Sequence, residues 1–359
     1  MLAELVAPWA RTGRLGRVLL VAGILVSAVA IVFNFWIGDQ ADWENYASAV
    51  DRVLRGESLY SAAQLSGVYN LPSTVRIGYS YPPASILFFV PFAVFPAGVA
   101  VYTAFSAVVF LSGLAAIVRR EFGHVAPGLL GIALLAVVPL PGYLETLRYS
   151  NVNLFIAGVF AWLWALPRAD SPVGAGLGVA VLLKMFPAFF LGWSVRHAGW
   201  RHAAWAIGLV AVVCLVALPL TGPGAWGDYV KALANAEPSC GQAPSLPCAL
   251  QPFLGLAAAK TVALVVAVAL ALMSLLVRSR LVGYALLVGA VHAPVLELWG
   301  HYELFPFVLG VVVVCHALAH RAQTSLYSPS TASSASAAGS PSADAPSPEA
   351  PSPDALSRD

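Results

Sequence analysis

Charge is what this chain has least of. Only 10% of its 359 residues are Asp, Glu, Lys or Arg, where a globular chain carries about 25%. The hydrophobic share is 59% and the mean hydropathy is +0.80. That scarcity excludes a soluble composition. Basic blocks are missing as well: 19 Lys and Arg stand against 17 Asp and Glu, which leaves no electrostatic footprint for nucleic acid. There is no phosphate-cradling glycine loop and no paired-cysteine metal motif, so a nucleotide-driven pump and a zinc enzyme have no foothold. Lipid, small-molecule or ion chemistry remains.

What the chain does contain is apolar runs, near 18–37, 83–96, 98–118, 126–143, 152–167, 172–195, 202–221, 253–277, 281–296 and 303–320. One crossing of a bilayer takes about 20 apolar residues. The expected fold is therefore an all-α polytopic membrane protein, a bundle of about ten transmembrane helices, some short or re-entrant. Arg11, Arg14 and Arg17 precede the first run, which ends without a small-residue cleavage site; it reads as an anchor with residues 1–17 in the cytoplasm. Residues 38–82 then form a first extracytoplasmic loop and 222–251 a late one, with Arg196, Arg201, Arg278, Arg280 and Arg321 inside. Strict alternation puts Arg119 and Arg120 outside, and the runs at 83–96 and 152–167 are short for a crossing. Breaks at Pro91, Pro96, Pro139, Pro141 and Pro187 resolve both difficulties by making half-spanning helices. After the membrane domain, 18–321, residues 322–359 are rich in Ser, Ala, Pro and Asp and are expected to form a disordered cytoplasmic tail.

Cysteines are few. Cys214 and Cys315 lie in apolar runs and read as small core residues. Cys240 and Cys248 share the late outer loop, where oxidation is permitted. They are either a disulfide, contributing roughly 2.5 kcal/mol by chain entropy, or two free thiols.

A charge at bilayer depth costs roughly 2.5 to 3.5 kcal/mol, so the intramembrane charges are the first functional candidates. They are Lys184 in Leu183-Lys184-Met185-Phe186-Pro187, Glu145 and Arg148 ahead of Ser150-Asn151-Val152-Asn153, and His292, Glu297, His301 and Glu303 near the end. Lys184, midway along its run, is expected to lie deep. In the first loop, Trp43, Tyr46, Ala47, Val50, Val53 and Leu54 recur at helical spacing, which predicts a surface helix from about Asp42, ended by Gly56. Tyr81-Pro82-Pro83 opens the next run, with proline suited to a first helical turn.

Taken together, Asp42-Trp43-Glu44-Asn45-Tyr46, Gly56-Glu57-Ser58-Leu59-Tyr60, Tyr81-Pro82-Pro83, Leu183-Lys184-Met185-Phe186-Pro187 and Trp299-Gly300-His301-Tyr302 resemble the polyprenol-phosphate-mannose-dependent mannosyltransferases of glycosyltransferase family 87, with the GT-C membrane fold. The resemblance runs from about residue 38 to 310. It implies an inverting transfer of a sugar, mannose first, from a polyprenyl-phosphate carrier to a glycolipid or glycan hydroxyl on the outer face of a bacterial plasma membrane. The family's first-loop aspartate, its general base, matches Asp42. Its Trp-x-His motif matches Trp299 and His301, and its Lys-x-x-Pro matches Lys184 and Pro187. Where relatives often have Gly-Gln-x-Asn, this chain has Ser150-Asn151-Val152-Asn153, so Asn153 matches and Asn151 only resembles the glutamine. Tyr302 replaces a common second histidine.

The chemistry needs a base for the acceptor proton and positive charge for the leaving phosphate. Asp42 is the expected base. Lys184, Arg148 and His301 are the candidates for the phosphate, and His301 can also orient Asp42. Tyr46, Tyr81, Asn153 and Trp299 are the candidates for the sugar. No metal or cofactor is expected, and the partners are the lipid-linked donor, the acceptor and membrane lipid. Blander readings stand beside these. Asp42 can be one of several acids on a solvated helix, with Asp39 its rival; Lys184 can snorkel; Arg148 can mark a membrane edge; His301 can be an interfacial histidine; and the aromatic residues can form an interface belt. At the level of function, the alternatives are a lipid or small-solute transporter or flippase, and a membrane scaffold.

Overall fold

In the first helix, α1 (Arg14–Ile37), the buried face is Gly16, Gly23, Ser27, Ala30 and Asn34, while Val21, Leu25, Val29, Val32 and Trp36 are exposed. This inverts the pattern of a soluble helix. Between helices in lipid there is no hydrophobic drive, so small residues meet protein and large apolar ones meet lipid. The computed structural model describes residues 5–67, 69–70, 78–165, 173–237, 240, 245–296 and 300–327. The helices after α1 are α2 (Ala41–Leu54), α3 (Ala62–Ser66), α4 (Ile86–Ala93), α5 (Gly98–Phe122), α6 (Pro127–Val137), α7 (Pro141–Tyr149), α8 (Asn153–Ala165), α9 (Val173–Leu183), α10 (Phe190–Ala198), α11 (Trp200–Thr221), α12 (Ala225–Asn235), α13 (Leu246–Leu254), α14 (Leu256–Leu276), α15 (Arg280–His292) and α16 (Leu304–Tyr327). Among the described residues the strands are a two-residue parallel pair, β1 (Tyr69–Asn70) with β2 (Ala236–Glu237).

The chain is an all-α polytopic membrane protein. Helices α1, α5, α11 and α14 and the segment Gly300–Thr324 are each long and apolar enough to cross a bilayer, and α6 with α7 together are apolar enough for a broken span or a re-entrant loop, bent by 74°. Residues 1–320 make one compact unit. Of the remainder, residues 321–327 are helical, and the rest of the expected tail, 328–359, lies outside the described residues.

Helix direction follows from contacts at the two ends. His124 Nε2, after α5, lies 2.8 Å from the Val6 carbonyl before α1. At the opposite end, the Thr103 and Ser150 hydroxyls are 2.8 Å apart, and Ser150 donates to the Gln40 side chain just past α1. So α5 runs antiparallel to α1 and begins where α1 ends. Helix α4 is thus not a crossing. Its eight residues rise about 12 Å, far short of the roughly 30 Å hydrocarbon core. Arg119 and Arg120 therefore fall at the same end as Arg14 and Arg17, contrary to strict alternation.

The run at 172–195 errs the other way, because it is two helices. Leu182 packs with Ala217 near the end of α11, and the chain then breaks through the 3-10 turn Phe186–Phe189, which contains Pro187. Helix α10 returns, and Arg196 donates to the Leu275 carbonyl at the end of α14. One run fewer and one more cancel, so α16 also heads toward the arginine end, with His316 Nδ1 3.0 Å from Glu121. Pro96 lies between α4 and α5, Pro139 at the α6–α7 bend and Pro141 at the first position of α7, at or beside breaks as expected, whereas Pro91 lies inside α4 without interrupting it.

Helix α2 sits on protein as well as at the interface. Trp43 stacks on Tyr102 with ring centres 5.4 Å apart and Tyr46 on Phe89 at 4.2 Å. Trp43, Tyr46, Val50 and Val53 are buried as the spacing predicts, whereas Leu54 is exposed. On the same end, Asn235 Nδ2 donates to the Gln64 carbonyl at 2.9 Å, which ties α12 to α3. Cys240 and Cys248 form a disulfide, with Cα atoms 5.2 Å apart.

Candidate active site

Five interruptions in the bundle meet at the end where α1 finishes and α5 begins: the α1–α2 connection, the turn before α4, the α7–α8 junction, the α9–α10 break, and the turn Gly300–Glu303 before α16. Irregular backbone at such depth persists where it lines a protein cavity. Between them lies a cavity of about 680 Å³, within the size range of small-molecule sites. Its polar wall is Asp42, Asn45, Ser80, Tyr81, Asn151, Lys184, His301 and Tyr302; its apolar wall includes Phe186, Phe189, Met185, Leu233 and Leu264. Met185, Leu233 and Leu264 are also exposed, so the apolar wall continues onto the outer surface of the bundle.

Asp42 lies in the first turn of α2, where the helix dipole favours a carboxylate. It is half-buried, and its Oδ2 accepts a hydrogen bond from Asn151 Nδ2 at 2.6 Å. Burial pushes its carboxyl above the ordinary carboxylate range; the Asn151 hydrogen bond and the Lys184 charge oppose that shift, and Asp39 adds to it. Beside it the Tyr46 and Tyr81 hydroxyls are 2.9 Å apart. Burial raises both phenols, so they stay neutral donors and acceptors.

Lys184 does not lie deep within a continuous span, as its sequence position implied. It sits at the α9–α10 break, where its ammonium reaches the cavity wall and donates to the Tyr302 hydroxyl at 3.0 Å, 4.5 Å from the centre of that ring. A lysine at a helix end facing a polar cavity escapes most of the cost of one facing lipid.

His301 is held from behind by crossed carboxylates. Glu145 Oε2 accepts the His301 backbone N–H at 2.8 Å, and Glu303 Oε2 accepts the Gly142 N–H at 3.1 Å. Gly142 and Gly300 pack against each other with no room for a Cβ on Gly142. The His301 ring is buried, and its Nδ1 has no hydrogen-bond partner among the described residues; Glu145 Oε2 is 3.8 Å away.

Asp42, Tyr81, Lys184 and His301 thus share the cavity. Tyr46 is fully buried behind Tyr81, and Asn153 lies fully buried with its Nδ2 3.4 Å from the His301 carbonyl; neither lines the cavity. Arg148 is not brought there either. Its side chain is exposed beside the Tyr149 ring, and it is its carbonyl that accepts the Gln40 N–H at 3.2 Å. His292 packs against Val288 and Tyr302. Trp299 and Glu297 lie outside the described residues. Sequence reasoning gave no role to Asn45, Ser80, Asn151 or Glu145; Glu145 carried a signal as a charge in an apolar region, Asn45 and Asn151 only as members of motifs that resemble the family's, and Ser80 none.

The sequence model described as glycosyltransferase family 87 matches residues 79–296. Tyr81, Asn151 and Lys184 fall inside that stretch, Asp42 and His301 outside it. The chain is similar to a polyprenol-phosphate-mannose-dependent alpha-(1-2)-phosphatidylinositol mannoside mannosyltransferase of Mycobacterium tuberculosis, with 24% identity over 233 residues that cover 61% of this chain and 54% of the relative. The chain thus spans about half the length of that relative. No solved structure matches it.

Proposed function

Because the chain belongs to glycosyltransferase family 87, we propose that it transfers a sugar, mannose first among candidates, from a polyprenyl phosphate to a hydroxyl of a glycolipid or glycan acceptor. The observation that carries this reading is the meeting of Asp42, Lys184 and His301, from distant parts of the chain, around one cavity whose apolar wall reaches the outer surface. That wall suits the lipid carrier and the polar wall suits the sugar. Asp42 takes the acceptor proton as the new glycosidic C–O bond forms and the anomeric C–O bond to phosphate breaks, leaving polyprenyl phosphate. Lys184 and His301 face the oxygens where negative charge develops. Attack from the side opposite the leaving phosphate inverts the anomeric centre.

The positive-inside rule gives the orientation. Arg11, Arg14, Arg17, Arg119, Arg120, Arg196, Arg201, Arg278 and Arg280 lie at the far end; every described acid except Glu121 lies at the site end, where Arg52, Arg55 and Arg148 are balanced by those acids. The far end is then cytoplasmic and the site faces outward, in a bacterial plasma membrane. The test uses purified protein in liposomes with radiolabelled polyprenyl-phosphate mannose and candidate glycolipids. Wild type is expected to move label to an acceptor with inversion, and Asp42→Asn to lose roughly 100- to 10,000-fold, the usual contribution of a general base. Equal activity of the variant overturns the assignment of Asp42, and absence of transfer from any lipid-linked sugar overturns the transferase reading.

A further inference from the structure

We infer that Asn151 is the positioning residue of Asp42: its amide anchors one carboxylate oxygen and leaves the other directed at the acceptor hydroxyl. This rests on the transferase reading above. Asn151 is 4% exposed and lines the cavity. Its amide is oriented by its own neighbour, since Oδ1 accepts the Asn153 N–H at 2.8 Å, which turns Nδ2 toward Asp42 Oδ2 at 2.6 Å. That hydrogen bond takes one lone pair of Oδ2 and lowers its basicity, so the proton of the acceptor goes to Oδ1.

The backbone around the pair is fixed in the same sense. Gln40, with φ 52°, and Ser150, with φ 53°, are the non-glycine residues of the described chain in the left-handed region. Each sits one or two positions before a partner, Gln40 before Asp42 and Ser150 before Asn151. Such a conformation costs on the order of 1 kcal/mol or more and persists where surrounding contacts over-determine it. Here those contacts link the two residues to each other. Ser150 Oγ donates to Gln40 Oε1, Thr103 Oγ1 meets Ser150 Oγ at 2.8 Å, the Gln40 N–H donates to the Arg148 carbonyl at 3.2 Å, and Gln40 Nε2 donates to the Phe35 carbonyl at 3.0 Å. Two unfavourable backbone positions, 110 residues apart, are thereby locked together beside the carboxylate and its amide donor. A link serving only to hold α1 to α7 has no need of the Asn151 amide.

The other groups facing Asp42 are Lys184 from the α9–α10 break, His301 from the turn before α16, Tyr81 from the turn before α4, Tyr102 from α5, Glu145 and Tyr149 from α7, and Asp39 and Tyr46 from its own segment. Asn151 is the one that donates to its carboxylate among the described hydrogen bonds.

Asn151→Ser separates the two jobs of this side chain. Serine retains an oxygen that can accept the Asn153 N–H, but it loses the amide donor. The experiment measures kcat/KM for sugar transfer against pH in wild type, Asn151→Ser and Asn151→Gln, alongside infrared titration of the Asp42 carboxyl band, identified by its loss in Asp42→Asn. Asn151→Ser is expected to lower kcat roughly 10- to 100-fold, the range for a hydrogen bond to a charged group, with donor KM little changed. Its acid limb and its infrared midpoint should both move to higher pH, and Asn151→Gln should restore part of both. A normal acid limb and midpoint in Asn151→Ser overturn the inference and leave Asn151 as a cap on α8. An infrared shift in a protein whose wild type transfers no sugar retains the pairing but overturns its catalytic use, and so fails the transferase reading separately.

Discussion

On the proposed reading Asp42 acts as a base only when ionised, and its burial opposes that ionisation. Burial raises its pKa above the ordinary aspartate range, so activity should fall with decreasing pH through a midpoint higher than that of an ordinary carboxylate. Asp42→Asn should abolish that limb. A pH profile of kcat/KM that stays flat down to the ordinary aspartate range contradicts the assignment. Lys184 and His301 were legible because a chain that is 10% charged has few places to put a lysine or a histidine beside an apolar run, whereas Asp42, one of several acids on its helix, was singled out only by the family resemblance. Asn151 was not legible, because its partner is 109 residues away and a neutral amide leaves no mark against a hydrophobic background. Arg148 misled for the converse reason: charge signals cost in the membrane but not direction, and this guanidinium points out of the site.

At the scale of elements, helix-on-helix packing rests on glycine. A Cβ on Gly158 in α8 would lie 2.7 Å from the Phe110 backbone nitrogen in α5, and one on Gly113 would lie 2.8 Å from the Gly158 carbonyl. Small residues at such crossings let backbones approach closely. Gly158→Leu should therefore push α5 from α8 and cost about 1 to 3 kcal/mol, read as a lower midpoint of thermal unfolding in detergent; an unchanged midpoint contradicts the close contact. The apolar runs announced their helices, and the prolines announced the breaks. Length alone could not say which runs crossed. The run at 83–96 was short for a crossing and is a half-spanning helix as expected, while 172–195 looked like one crossing and is a pair of helices. Both outcomes depend on where neighbouring helices offer a wall, as Tyr46 and Tyr102 do for Phe89 and as Phe160 does for Phe190.

Across the whole molecule, the proposed orientation rests on most of the described arginines lying at the end opposite the acids, with Arg52, Arg55 and Arg148 at the site end. Asp228, in α12 at the site end, and Arg278, between α14 and α15 at the other, are convenient reporters. In intact cells an impermeant maleimide should label Asp228→Cys but reach Arg278→Cys only after permeabilisation. The reverse pattern places the cavity in the cytoplasm and removes the outward-facing reading. The central claim is that one carboxylate and two basic side chains surround a lipid-borne sugar phosphate in a single cavity. Its most direct test is a cryo-electron microscopy structure of the Asp42→Asn variant with polyprenyl-phosphate mannose. The account predicts phosphate density within hydrogen-bonding distance of Lys184 Nζ, the sugar beside residue 42, and the prenyl chain leaving past Met185 and Leu264. Donor density elsewhere, with the cavity of Lys184 and His301 vacant, contradicts it.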